Sequence, residues 1–68
     1  MEPDIKFGDI LKYSQEWFDA SGASETKRKI RFVATGRIMG EEPDWLICVA
    51  RENSSYLERY HHTFLEKA

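Results

Sequence analysis

The side chains best suited to catalysis or metal binding in this sequence are a single cysteine and two adjacent histidines. Cys48 lies between Ile47 and Val49, which offer no base to ionise its thiol, so the pattern favours a small buried apolar residue over a nucleophile. His61 and His62 should diverge on an extended segment, and by about 100° on a helical turn, so a joint grip on one metal ion is not expected. Solvated or capping roles are favoured for both histidines.

Three acidic residues, Glu41, Glu42 and Asp44, lie in a stretch rich in turn-forming residues. Solvent surrounds such a turn, so we expect no apolar pocket that would tune one of them as a general acid. The sequence also lacks a glycine-rich phosphate loop, a nucleophile elbow and metal-ligand spacing. We therefore predict a protein that is not an enzyme and that uses no cofactor or metal.

The strongest local charge is a basic cluster around the start of a predicted strand, formed by Lys27, Arg28, Lys29, Arg31 and Arg37. If Lys29, Arg31 and Arg37 project outward beside Trp17 or Tyr56, they form a phosphate-facing patch with a stacking platform for nucleic acid. Charges that flank a strand also protect sheet edges from aggregation, and the rest of the surface is acidic. Both interpretations of the cluster stay open.

The adjacent aromatic residues Trp17 and Phe18 form the second feature. Neighbours on a short helix cannot both face inward, so one is expected to plug the end of the fold and the other to be a candidate interface anchor. The alternative is that both rings are partly buried, because a small core needs large side chains. We predict that Trp17, Tyr56 and Tyr60 are the anchors for a protein partner.

The elements that would position these residues in the first half of the chain follow from local signals. A first strand is predicted at about 9–13, and Ser14 caps a short helix that Gly22 ends. Residues 23–29 are expected to form an exposed loop. A second strand spans 30–39 with a kink at Gly36, and the breakers of 40–44 predict a hairpin.

The second half continues with a third strand at 45–51, a turn at 52–55 and a fourth strand at 56–60. A single 3₁₀ or helical turn is expected at 61–63, after which Phe64 and Leu65 dock. The predicted interior contains Ile10, Phe32, Ile47 and Val49.

Length and composition set the broad class. With 68 residues, 41% of them hydrophobic and 32% charged, the chain has room for one packed domain covering 1–68, with 1–4 frayed. The net charge of −2 comes from acids and bases mixed along the chain, which argues against a dedicated polyanion binder. One cysteine, no signal pattern and no long apolar run lead us to expect a cytoplasmic protein that neither is exported nor enters a membrane.

The order of these signals resembles a known architecture. The signals that carry this resemblance are, in order, the stretch 7–14 (FGDILKYS), a long first loop with Trp17 and Phe18, the stretch 31–36 (RFVATG), a hydrophobic strand and the stretch 64–66 (FLE). The chain is similar in this order to SH3-like small barrels of the KOW or Tudor type, and to small bacterial or prophage proteins. The resemblance implies an all-β fold of about five antiparallel strands, with a short helix in the first long loop and a 3₁₀ turn before the closing strand. It implies no activity, because this architecture carries many unrelated functions.

The sequence thus predicts a non-catalytic binding module that contacts a protein through the rim of the barrel, with the basic cluster setting the orientation. One alternative is a nucleic-acid-binding module that uses the basic cluster. Another is a structural subunit of an oligomer.

Overall fold

The computed structural model describes residues 1–68 and contains five strands: β1 (Ile10–Tyr13), β2 (Phe32–Met39), β3 (Leu46–Arg51), β4 (Leu57–His61) and β5 (Leu65–Lys67). One helix, α1 (Gln15–Ser21), follows β1, and two 3₁₀ helices span Glu25–Lys29 and His62–Phe64. All five strands belong to one antiparallel sheet in the order β4-β3-β2-β1-β5. The sequence predicts an all-β fold and the structure is mostly β, with five antiparallel strands; the short helix after the first strand and the 3₁₀ turn before the last strand are confirmed.

The two ends of the sheet stay separate. The first four strands pair in chain order, and β5 returns to pair with β1, so β4 and β5 are the outer strands. They do not pair with each other, and the sheet is therefore not closed into the predicted barrel.

The core lies on one face of the sheet. Phe32, Leu11, Ile47 and Val49 are at most 1% exposed, and burying a side chain of this kind contributes about 1.5–3 kcal/mol. The prediction is confirmed for three of its four interior residues but is wrong for Ile10, which is 39% exposed. Ile10 is opposite Val33 and Leu11 opposite Phe32, so Leu11 shares the core face and its neighbour Ile10 points the other way.

The first long connection begins as predicted. The side-chain oxygen of Ser14 accepts a hydrogen bond from the backbone N–H of Trp17, and Gly22 ends α1 with a φ of 68°. Phe18 is buried against the core, while Trp17 is only partly buried, as expected for neighbouring positions. The loop predicted at 23–29 is wrong in part, because residues Glu25–Lys29 form a 3₁₀ helix, although their side chains are exposed as expected.

Strand β2 contains the predicted kink as a bulge. Ala34 is opposite Val49 and Ile38 is opposite Ile47, so β2 has three residues between these pairs where β3 has one. Gly36 permits the bulge with a φ of 89°. Strand bounds elsewhere differ from the predictions by one or two residues; β2, for example, begins at Phe32, and Ile30 remains outside it.

Candidate functional site

The predicted basic cluster does not form one surface. Lys27, Arg28 and Lys29 lie on the first 3₁₀ helix with exposed side chains. Arg28 is already bound: its guanidinium pairs with Glu25 and lies 4.2 Å from the centre of the Phe18 ring. The hydrogen bond to Arg28 lowers the pKa of the Glu25 carboxyl. Arg28 therefore fastens the first loop to the core as well as adding positive charge.

A concave surface gathers part of the cluster with residues of β1 and β5. It has a volume of about 410 Å³ and is lined by Lys12, Tyr13, Gln15, Arg28, Arg31 and Glu66, which we call the basic cleft. Arg31 is held in place because its guanidinium donates to the carbonyl oxygens of Arg28 at 2.6 Å and Ile30 at 3.1 Å. Of its three cationic side chains, Arg28 pairs with Glu25 and Lys12 with Glu66, so the basic cleft has an excess of one positive charge, that of Arg31.

Two of the predicted aromatic anchors meet around a third ring. Trp17 stacks on Tyr13 with ring centres 3.5 Å apart and planes 7° from parallel, and Tyr60 meets the same ring edge-on at 5.6 Å. Tyr56 is 74% exposed in the segment before β4 and makes no ring contact with them. Trp17 and Tyr60 thus extend the core, while Tyr56 is free for contact.

The Tyr60 hydroxyl takes part in a fixed polar chain. It donates to a carboxylate oxygen of Glu58 at 2.8 Å and lies 3.0 Å from the Tyr13 hydroxyl, which must then be the donor in that pair. Arg51 donates to the other oxygen of Glu58 at 2.8 Å. Burial, reinforced by the hydrogen bond that the hydroxyl donates to Glu58, raises the pKa of Tyr60 well above its ordinary value.

The two histidines do not diverge, so that prediction is wrong. The ring centres of His61 and His62 are 4.7 Å apart because β4 ends at His61 and a 3₁₀ helix begins at His62. His61 accepts from the backbone N–H of Thr63, which confirms a capping role, and its other ring nitrogen lies 3.0 Å from an Asp44 oxygen. His62 lies 2.9 Å from the Pro43 carbonyl oxygen. Both rings therefore hold the β2–β3 hairpin loop to the final turn of the chain.

Thr63, His61 and Asp44 form a hydroxyl–imidazole–carboxylate chain of the kind that hydrolases use. Here the ring nitrogen that would take the hydroxyl proton also receives the backbone N–H of Thr63. Neither cavity of the molecule includes these residues. The arrangement is accounted for by capping. No group of three or more histidine, cysteine, aspartate or glutamate side chains is placed to hold a metal ion.

The face of the sheet opposite the core carries a surface that sequence reasoning missed. Ile10 is opposite Val33, Val33 is opposite Ala50, and Ala50 is opposite Leu57. Directly paired residues point to the same face, so these four residues form one apolar line across β1, β2, β3 and β4, which we call the outer row. Its two ends are exposed, Ile10 by 39% and Leu57 by 64%.

A groove lies beside the outer row and shares Leu57 with it. It has a volume of about 260 Å³ and is lined by Thr35, Arg37, Met39, Cys48, Leu57, Glu58 and Arg59, which we call the outer groove. The bulge of β2 forms one wall. Within the bulge the Thr35 hydroxyl donates a hydrogen bond to the Cys48 carbonyl oxygen at 3.1 Å.

The outer groove has two guanidinium groups and no carboxylate free to balance them. Arg37 and Arg59 are absent from every salt bridge of the chain. The Arg59 guanidinium lies 4.0 Å from the sulfur of Met39, and Glu58 is bound to Arg51. Arg37, which the sequence grouped with the basic cluster, therefore belongs to a different surface from Arg28 and Arg31.

No protein-family model matches the chain, and neither curated proteins nor solved structures give a significant match. The only α-helix has seven residues, and none of the helical segments has the length and apolar character needed to cross a bilayer.

Proposed function

We propose that this chain is a non-catalytic protein-binding module that docks a partner on the face of its sheet opposite the core. The observation that carries the proposal is the outer row, an apolar line across four strands with exposed ends. Exposed apolar patches of this kind mark interaction surfaces in small soluble domains.

The scaffold we propose is an SH3-like sheet. Support comes from the meander of β1 to β4, the return of β5 to β1, the helix in the first long connection and the 3₁₀ helix before β5. In such a sheet one face holds the core and the other is free, so a partner can bind without disturbing the fold.

The outer row is not needed to cover the core. Leu11, Phe32 and Val49 fill the opposite face and are fully buried there. A partner that covers Ile10 and Leu57 removes their apolar surface from water, and this burial contributes about 25 cal/mol of binding free energy per Å². The isolated chain does not gain this free energy, because the two side chains stay exposed in it.

The test is capture of a partner from extract of the source cell, with the double variant Ile10→Ser/Leu57→Ser against Phe7→Ser. Phe7 is 81% exposed and lies outside the outer row, so it is a matched control for loss of an apolar side chain. We expect the double variant to keep its circular dichroism spectrum and lose the captured protein, while the control keeps it. Retained capture by the folded double variant would overturn the proposal. Trp17→Ala, in the same assay, tests the rim surface that the sequence predicted.

A second candidate function is nucleic-acid binding through the basic cleft, favoured by its three cationic side chains, of which Arg31 has no carboxylate partner. Phosphate contacts make affinity fall steeply with salt. Titration with a mixed-sequence oligonucleotide should then show binding at low salt that Lys12→Gln/Arg31→Gln weakens. Absence of binding at low salt removes this candidate.

A further inference from the structure

We propose that the outer groove takes an extended acidic segment of a partner protein, with one apolar side chain in the groove and carboxylates on Arg37 and Arg59. This inference rests on the proposed function, because it names the chemistry of the partner that the same face of the sheet would bind.

The size of the groove fits a side chain. Its volume of about 260 Å³ falls below the roughly 300–1,000 Å³ typical of sites for whole small molecules. Met39, Leu57 and the buried Cys48 give it an apolar lining. The hydroxyl of Thr35 is already engaged by the Cys48 carbonyl, so it offers no free donor that a polar ligand would need.

The charges around the groove select an acidic partner. Arg37 and Arg59 are exposed and have no carboxylate partner, although the chain as a whole has a net charge of −2. The one carboxylate in the lining, Glu58, accepts from both Arg51 and Tyr60. A guanidinium group binds a carboxylate through two parallel hydrogen bonds, so the free pair favours Asp or Glu on the partner.

The position of the groove favours an extended segment. Strand β4, which provides Leu57 and Arg59, is an outer strand of the sheet and has a neighbour on one side only. The groove lies on the side of that neighbour, over Cys48 of β3 and beside Thr35, Arg37 and Met39 of β2, so it runs along the strands and a peptide that lies in it is extended.

A second copy of this chain is a poorer occupant because of the two unpaired arginines. In a two-fold, face-to-face dimer the same patch of both copies meets. If that patch is the outer groove, Arg37 and Arg59 of one copy lie against Arg37 and Arg59 of the other, and neither copy supplies a free carboxylate there. This like-charge contact destabilises the dimer.

The experiment is a titration of the full chain with an acetylated, amidated pentapeptide, Asp-Glu-Leu-Glu-Asp, followed by backbone amide shifts. Peptides with Ala in place of Leu, and with Lys in place of all four acids, are the controls. We expect a Kd on the order of 0.1 mM for the acidic peptide, with shifts at Thr35, Cys48, Leu57 and Arg59. The Ala peptide should bind several-fold more weakly, and the Lys peptide should not bind.

The matched variants are Arg37→Gln/Arg59→Gln and Lys27→Gln/Lys29→Gln, which remove the same charge from two different surfaces. All four side chains are exposed, so both variants should fold. We expect the arginine variant to bind the peptide at least tenfold more weakly and the lysine variant to stay within about twofold of the parent chain. The rate at which the Cys48 thiol of the parent chain is alkylated gives an independent measurement. The acidic peptide should lower this rate because Cys48 lines the groove.

The inference is overturned if the acidic peptide leaves the groove shifts and Cys48 alkylation unchanged, or if the two double variants weaken binding equally. Concentration-dependent shifts at the outer row without peptide would overturn it in favour of a second copy. If the variant Ile10→Ser/Leu57→Ser loses partner capture but the acidic peptide does not bind the parent chain, only the acidic chemistry of the partner is refuted. The proposed function is then still supported.

Discussion

Replacement of Ser14 by Ala tests how the first long connection is held to the end of the chain. The Ser14 side chain is 8% exposed and makes two hydrogen bonds, accepting from the Trp17 N–H at 3.4 Å and donating to the Thr63 carbonyl oxygen at 2.6 Å. The first caps α1, and the second joins that cap to the 3₁₀ helix before β5. One hydroxyl thus connects two elements that are far apart in sequence.

The expected cost of Ser14→Ala follows from these two contacts. Loss of a helix cap typically costs about 1 kcal/mol, and the long distance to Trp17 places this one near the lower end, about 0.5 kcal/mol. A part-buried carbonyl left without its donor adds about 1–2 kcal/mol. We therefore expect a loss of about 2 kcal/mol, or a Tm lower by roughly 8–16 °C, in a domain whose total stability is on the order of 3–10 kcal/mol.

Urea unfolding followed by tryptophan fluorescence measures this loss, since Trp17 stacks on the buried Tyr13 ring and should report its exposure. Ser21→Ala is the control, because the Ser21 hydroxyl makes only an exposed hydrogen bond and should change stability by less than about 0.5 kcal/mol. Ser14→Asp separates the two contacts: a carboxylate can cap the helix but cannot donate to Thr63. A Ser14→Ala variant as stable as the parent chain, or a Ser14→Asp variant that recovers full stability, would refute the reasoning.

Three further predictions concern single side chains. Gly40 has a φ of 85°, and a Cβ there would lie 2.8 Å from a carbonyl oxygen of the hairpin loop, so Gly40→Ala should lower the free energy of unfolding in urea by about 2 kcal/mol or more. Gly22 has a φ of 68° but open space around it, so Gly22→Ala should cost only about 1 kcal/mol. The reverse ranking of the two variants would contradict this prediction. The pKa of Tyr60 is raised in the folded chain, so above about pH 10 its hydroxyl loses its proton in the unfolded chain while it keeps it in the folded one. The free energy of unfolding should therefore fall as the pH rises, by at most about 1.4 kcal/mol per pH unit. Tyr60→Phe should make that alkaline decline shallower in urea melts at several pH values; an unchanged slope would argue against it. Thr35→Val removes the hydroxyl that donates to the Cys48 carbonyl and should cost about 1 kcal/mol by the same assay; unchanged stability would contradict this.

The elements of this fold could be predicted from local signals. Ser14 and Gly22 mark the two ends of α1 because a hydroxyl cap and a left-handed glycine act within one helical turn. The hairpin at 40–44 and the kink at Gly36 are likewise encoded where they occur. The sequence predicts the wrong face for Ile10. Which side chains of a short strand face the core depends on the register with the neighbouring strand, and no signal in β1 itself gives the pairing of Leu11 with Phe32.

The candidate surfaces were harder to predict because they depend on pairing between strands. The outer row consists of four residues from four strands and becomes visible only when the register of every pair is known. Arg31 and Arg37 are six positions apart in sequence, yet Arg31 precedes β2 while Arg37 lies within its bulge, and they line different surfaces. Proximity in the chain therefore suggested a single basic patch that the fold divides.

The bulge of β2 allows a residue on the proposed binding face to change while the residues that pack in the core stay the same. Ala34 and Ile38 keep their pairing with β3 on either side of it, so the three positions between them, 35–37, are free of the interior's packing demands. Gly36 is required by the bulge and Thr35 binds the Cys48 carbonyl, but Arg37 is exposed, so exchanges at that position can change the size or the charge of the outer groove at little cost to the core. Selectivity for different ligands is thus accessible through very few substitutions on an unchanged framework.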